Sequence, residues 1–122
     1  MLPGTVEFYP WEYQTVGALM ASCDCSIIPL EQTAWCWAKS DNKAASMMSM
    51  GLPLVTEDVK CYDEVAPHAL VAYQAEDWAQ QLERIVTDPA LRRQLGKQGQ
   101  EWALEERGIE HVTDLLLERL GV

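Results

Sequence analysis

The feature that most constrains this chain is an alternation. Short apolar runs rich in β-formers take turns with stretches whose apolar residues recur at helical spacing. Val6-Glu7-Phe8-Tyr9 reads as a first strand closed by Pro10, and Cys25-Ser26-Ile27-Ile28 as a second closed by Pro29. Proline lacks the N–H that a central strand donates, so each run ends there. Pro53-Leu54-Val55-Thr56 reads as a third strand and Ala69-Leu70-Val71-Ala72 as a fourth. Between the first two, residues 12–22 place Val16, Leu19, Met20 and Cys23 on one helical face, at i, i+3, i+4 and i+7. Residues 41–50 form a short helix rich in alanine and methionine. Gly51 ends it as a left-handed cap, a conformation that costs glycine little.

Beyond the fourth strand the pattern is helical. Glu76 and Asp77 stand in a first turn, where acids suit the helix dipole, and Trp78, Leu82 and Ile85 form an apolar stripe. Asp88-Pro89 restarts the helix, with aspartate as N-cap and proline at the first helical position. Leu91, Leu95 and Trp102 continue the stripe to about residue 106, Gly108 interrupts it, and a last helix from Glu110 carries Val112, Leu115, Leu116 and Leu120. Strands alternating with helices imply parallel pairing and right-handed crossovers. The fold class is therefore α/β: a Rossmann-like three-layer unit with a short parallel sheet of three or four strands and a helical C-terminal tail.

At 122 residues the chain is long enough for one domain, 1–122, and too short for two. Nineteen acidic residues against nine basic ones leave a net charge of −10. That average field repels a duplex or an anionic membrane, so nucleic-acid partners are excluded as a class. No apolar run is long enough to insert in a membrane, and Met1-Leu2-Pro3-Gly4 is no signal sequence. Cys23 and Cys25 are too close for an easy bridge, no CxxC pair occurs, and His68 and His111 lie far from any cysteine cluster. A reducing, cytoplasmic location with no zinc and no cofactor is expected, the four cysteines, Cys36 and Cys61 included, serving as small apolar groups.

In open parallel sheets, ligands bind beyond the C-terminal strand ends. Two segments occupy that edge: residues 30–40, with Trp35 and Trp37, and Glu57-Asp58-Val59-Lys60. The first runs into the helix at 41–50, which Ser40 or Asp41 can cap, and Lys39 and Lys43 bracket the same end. A helix N-terminus with two lysines can seat a diphosphate, and a tryptophan can stack on a base or sugar. The plainer readings stand beside these: a capped helix that binds nothing, tryptophans buried as loop anchors, Met47, Met48 and Met50 packed on the sheet, and Glu57, Asp58, Asp63 and Glu64 as a solvated face. No Ser-His-Asp set, P-loop or GxGxxG is present; Gly96 and Gly99 sit in a helical stretch with no strand before them.

The run "VEFYPWEYQTVGALMASCDCSIIPL" at 6–30 resembles the middle of the C-terminal half of two-domain (GT-B) glycosyltransferases of group 1. So does "WCWAKSDNKAASMMSMGLPLVTEDVKCYDEV" at 35–65, with its Trp, Lys-Ser, nearby Lys and Gly-x-Pro strand entry. "EDWAQQLERIVTDPALRRQLGKQGQEWA" resembles the helices that close that half, so the likeness spans about 6–107. In that family the C-terminal half binds a nucleotide-diphosphate sugar and the N-terminal half binds the acceptor. The resemblance implies that Lys39, Ser40 and Lys43 face the donor at the helix start, with Trp35 beside them. It makes Gly51 and Pro53 the turn into the next strand.

Two departures bear on activity. Members usually carry a glutamate five residues before the glycine, where it accepts hydrogen bonds from the nucleotide ribose; here that position is Ser46, shorter and uncharged. The acceptor half and the first units of the donor half, with their Gly-rich turn, have no counterpart. The resemblance thus implies a truncated donor half with at most weak nucleotide-sugar binding, inactive alone because positioning two substrates needs both walls of a cleft. A homodimer or a separate acceptor-domain partner would cover the exposed sheet edge. The competing expectation is a non-catalytic interaction module of the same fold. A hydrolase or redox enzyme built on Cys36 or Cys61 lacks any base in the sequence.

Overall fold

The computed structural model describes residues 4–122; Met1-Leu2-Pro3, part of the signal-sequence reading above, lie outside them. Three parallel strands, β1 (Ser26–Ile28), β2 (Leu54–Glu57) and β3 (Leu70–Ala72), form one sheet in the order β1-β2-β3. Six α-helices accompany them among the described residues: α1 (Tyr13–Ala21), α2 (Ala34–Trp37), α3 (Asn42–Ser49), α4 (Asp77–Thr87), α5 (Pro89–Arg107) and α6 (Ile109–Leu120), with short 3-10 turns at Lys60–Tyr62 and Ala66–His68. The α/β class, the parallel pairing and the short sheet agree with the expectation from sequence.

Register assigns each side chain to a face. Ile27, Val55 and Leu70 are in line across the three strands, as are Ile28, Thr56 and Val71 one residue on. Because side chains alternate along a strand, these rows point to opposite sides. On one side Ile28 and Leu54 pack against Ala44 and Met48 of α3 and Ala103 of α5, closed by Val59, Tyr62 and Val65. On the other, Val55 and Leu70 pack against Ile85 of α4 and Leu95 of α5, with Trp78, Leu82 and Leu91 around them. Helices on both faces of the sheet make the three layers. The C-terminal helices are thus more than a tail, since α4 and α5 supply one wall entirely and part of the other.

The single helix α5 reaches both walls by passing beneath the N-terminal ends of the strands. A Cβ added to Gly96 would stand 2.5 Å from the Gly51 carbonyl oxygen, just before β2. One added to Gly99 would meet the end of the Met48 side chain at 3.0 Å. These two glycines, without a motif role in sequence, let two helices approach closely. Gly51 itself has φ +76°, the left-handed cap expected of it. Asp88 caps α5 as foreseen, its Oδ1 accepting the Leu91 N–H at 2.9 Å.

The N-terminal expectations are corrected. Val6–Tyr9 is no strand: residues 4–12 carry no secondary structure, with Val6 98% and Phe8 89% exposed. Its alternating pattern is compatible with a strand, but strand structure requires a paired neighbour, and none bonds to it here. Helix α1 forms as read, yet none of its residues is buried, so the Val16–Leu19–Met20 stripe does not join the core. Ile27, whose row-mates are fully covered, is 49% exposed as a consequence.

Candidate functional site

The C-terminal strand ends carry three loops, and specific side chains tie them. After β1, Thr33 caps α2 by accepting the Cys36 N–H at 3.2 Å. Gln32 donates from its amide to the Asp58 carbonyl beyond β2 at 2.6 Å. It also accepts the Trp37 indole N–H at 3.1 Å. This glutamine therefore pins the first loop to the second. After β3, Asp77 Oδ2 accepts the N–H groups of Tyr73 and Gln74 at 3.0 and 3.2 Å. The Trp78 indole N–H donates to Glu57 at the end of β2, at 2.9 Å.

The start of α3 lies at this edge. Asp41 holds its N-cap position, but its carboxylate accepts no bond from the first turn. It is drawn instead to Arg107 at the end of α5, whose Nη2 and Nε reach Oδ2 at 2.9 Å and Oδ1 at 3.4 Å. The same Nη2 donates to Glu64, and the guanidinium lies 5.0 Å from the centre of the Trp102 ring. The hydrogen bonds to Asp41 and then Glu64 push the already high Arg107 pKa further up. A helix start with its early N–H groups uncapped by a side chain retains its positive end. The Arg107 cation offsets the charge of Asp41 at that point.

The sequence-derived candidates surround this end. Lys39, Ser40 and Lys43 are exposed, and neither lysine forms an ion pair among the described residues. The Lys39 ammonium sits 5.8 Å from the centre of the Trp35 ring. Trp35 is 76% exposed and Trp37 about half exposed, with its indole N–H held by Gln32, so neither is the buried anchor that one reading expected. Ser46 lies one turn along α3, exposed, and its hydroxyl donates to the Asn42 carbonyl at 2.8 Å. That bond occupies its proton and leaves only acceptor lone pairs free.

Glu57 and Glu64, read as a solvated face, have specific partners in Trp78 and Arg107. His68 stacks on Trp102 at 5.5 Å. Gln32 and Arg107 are structural members of this edge that sequence reasoning missed. A glutamine in a loop carries no pattern, and Arg107 lies 66 residues from its partner Asp41. Among the described residues no group of three or more His, Cys, Asp or Glu is placed to hold a metal ion. No helix among them is long and apolar enough to cross a membrane.

The arrangement is suited to holding an anion: exposed ammonium groups, a helix start and an aromatic face on the ligand edge of a parallel sheet. No curated protein and no solved structure matches the chain. The family model described as glycosyl transferases group 1 matches residues 2–88, which include all three strands and the loops at their C-terminal ends, with Arg107 and Trp102 lying beyond the match. On that match, over more than half its length, the chain belongs to the group 1 glycosyl transferases.

Proposed function

We propose that this chain works as the donor-side lobe of a GT-B glycosyltransferase. The diphosphate of a nucleotide sugar would lie at the start of α3, between Lys39 and Lys43, with the Ser40 hydroxyl as a further donor and Trp35 as a stacking face. The observation that carries this reading is the state of Asp41. Its carboxylate is held by Arg107 rather than by the helix it precedes, so the first turn of α3 stays open to an anion, in a chain of this family. Affinity is expected to be weak, because Ser46 offers the ribose a short hydroxyl already bonded to Asn42 where the family usually has a carboxylate.

On this reading the chain alone does not transfer sugar. Positioning an acceptor needs a surface facing the strand ends, supplied by a separate acceptor domain or a second copy. The apolar side chains left open on α6, Ile109, Val112, Leu116 and Leu120, and the outer edge of β1 are the surfaces such a partner would cover. The second reading, a non-catalytic interaction module, is favoured by the same Ser46 and the same open helix.

Thermal shift with UDP, GDP, ADP and their sugar forms separates the two. A ligand at 100 times its dissociation constant stabilises by about 2.7 kcal/mol, a shift that melting resolves. The donor-lobe reading expects at least one of these ligands to raise the melting point, with Lys39→Ala and Lys43→Ala each reducing the gain. If none does and both variants are silent, the interaction module stands. Light scattering over a concentration series tests for the second copy; a monomer throughout leaves the separate acceptor domain.

A further inference from the structure

Two thiols at the strand-end edge have no part in the reading above. Cys36 lies in α2, buried, and Cys61 lies in the 3-10 turn Lys60–Tyr62 after β2, half-buried. The Cys61 thiol donates to the Cys36 carbonyl oxygen at 3.2 Å. This contact brings the Cys61 sulfur against the backbone of Cys36, the residue that bears the other thiol, across the gap between the two loops. Both thiols are free. Burial, and then the nearby Cys36, Asp41 and Asp63, push the Cys61 thiol up, so its thiolate is a minor form at neutral pH and its exchange with a disulfide is slow there.

We propose that Cys36 and Cys61 are a redox-responsive pair that closes to a disulfide when a disulfide oxidant such as oxidised glutathione is available. The half-buried Cys61 is the entry point. Its thiolate, having lost its proton to solvent, attacks one sulfur of oxidised glutathione and forms a mixed disulfide, releasing one glutathione thiolate that takes up a proton. Cys36, its proton passing to solvent, then attacks the Cys61 sulfur as a thiolate, forming the protein disulfide and expelling the second glutathione as a thiolate that takes up a proton. The protein loses two protons and two electrons, and one oxidised glutathione becomes two reduced ones.

The bond would join the loop bearing Trp35, Trp37 and Lys39 to the turn bearing Lys60, two segments that Gln32 already ties through its contact with Asp58. It would close a loop of 25 residues. Cys23 and Cys25 lie at the opposite end of β1 and are no part of the pair.

The test treats the native protein with oxidised glutathione, alkylates residual thiols, and cleaves after glutamate without reduction. Residues 13–31 then carry Cys23 and Cys25, residues 32–57 carry Cys36, and residues 58–64 carry Cys61. The expected product is 32–57 linked to 58–64, two hydrogens lighter than the sum, with the melting point raised by several degrees and restored by reductant. A Cys23→Ser/Cys25→Ser variant should form the same link, and Cys36→Ser should stop at a glutathione adduct on Cys61. Linkage of 58–64 to 13–31, a link between two chains, a persistent adduct on wild-type Cys61, or no modification at all would overturn the proposal. If Cys36→Ser does not fold, the wild-type map decides by itself. The pairing is independent of nucleotide-sugar binding, so failure of one leaves the other standing.

Discussion

The guanidinium of Arg107 reaches Asp41 across 66 residues of sequence, with Nη2 2.9 Å from Oδ2, and so fixes the end of α5 against the start of α3. The same cation holds Glu64 and lies over Trp102. Arg107→Met should destabilise the fold by about 1–3 kcal/mol in urea unfolding, because two carboxylates lose their common partner. Arg107→Lys should recover only part of this, since an ammonium cannot reproduce the forked contact. A double-mutant cycle with Asp41→Asn measures the coupling; additive losses would show that the pair contributes nothing of its own.

Gly96 and Gly99 look alike in sequence and differ in what they face. A methyl at Gly96 meets the backbone oxygen of Gly51 at 2.5 Å, which cannot move without shifting the entry to β2. Gly96→Ala should cost about 1–3 kcal/mol. At Gly99 the neighbour is the flexible end of Met48, and alanine gains helix propensity of about 1 kcal/mol over glycine. Gly99→Ala should therefore be close to neutral. Equal effects of the two substitutions on the thermal midpoint would contradict the crossing geometry.

Ile27 and Val55 are paired across β1 and β2 and face the same way, yet Val55 is fully buried and Ile27 half-open. Val55→Ala should destabilise the isolated chain by about 1–3 kcal/mol, whereas Ile27→Thr should stay within about 0.5 kcal/mol. Chemical denaturation of both variants checks this. A large loss at Ile27 would mean that a second copy or α1 covers that row in solution.

Burial raises the Tyr62 phenol to about 12, above its ordinary value of 10.0. The folded state therefore retains this proton more strongly than the unfolded chain. Its stabilising contribution is complete below pH 10 and is lost as pH rises from there to about 12. Of the four tyrosines, Tyr62 should give a late phenolate component, coincident with alkaline unfolding followed by circular dichroism. In Tyr62→Phe that component should vanish.

Much of the fold was legible because it rests on local chemistry. Proline ends, the Gly51 turn, the Asp88-Pro89 cap and helical spacing each act within a few residues, and they delimit β1, β2, β3, α3, α4 and α5 to within one or two positions. The location of Lys39, Ser40 and Lys43 at one helix start follows from the same short-range rules.

Other features depended on contacts distant in sequence. Val6–Tyr9 has strand-like alternation, but a strand exists only where another pairs with it, and no residue of the segment reports that lack. The α1 stripe is equally apolar whether or not a surface lies opposite. Asp41 serves Arg107 rather than its own helix, and the exposure of Trp35 depends on how its loop folds back. The Cys36–Cys61 contact and the role of Gly96 exist only because separate elements meet. Local propensity and capping were properties of the sequence itself. Pairing, burial and charge compensation were settled by tertiary structure, because each needs a partner that only folding brings near.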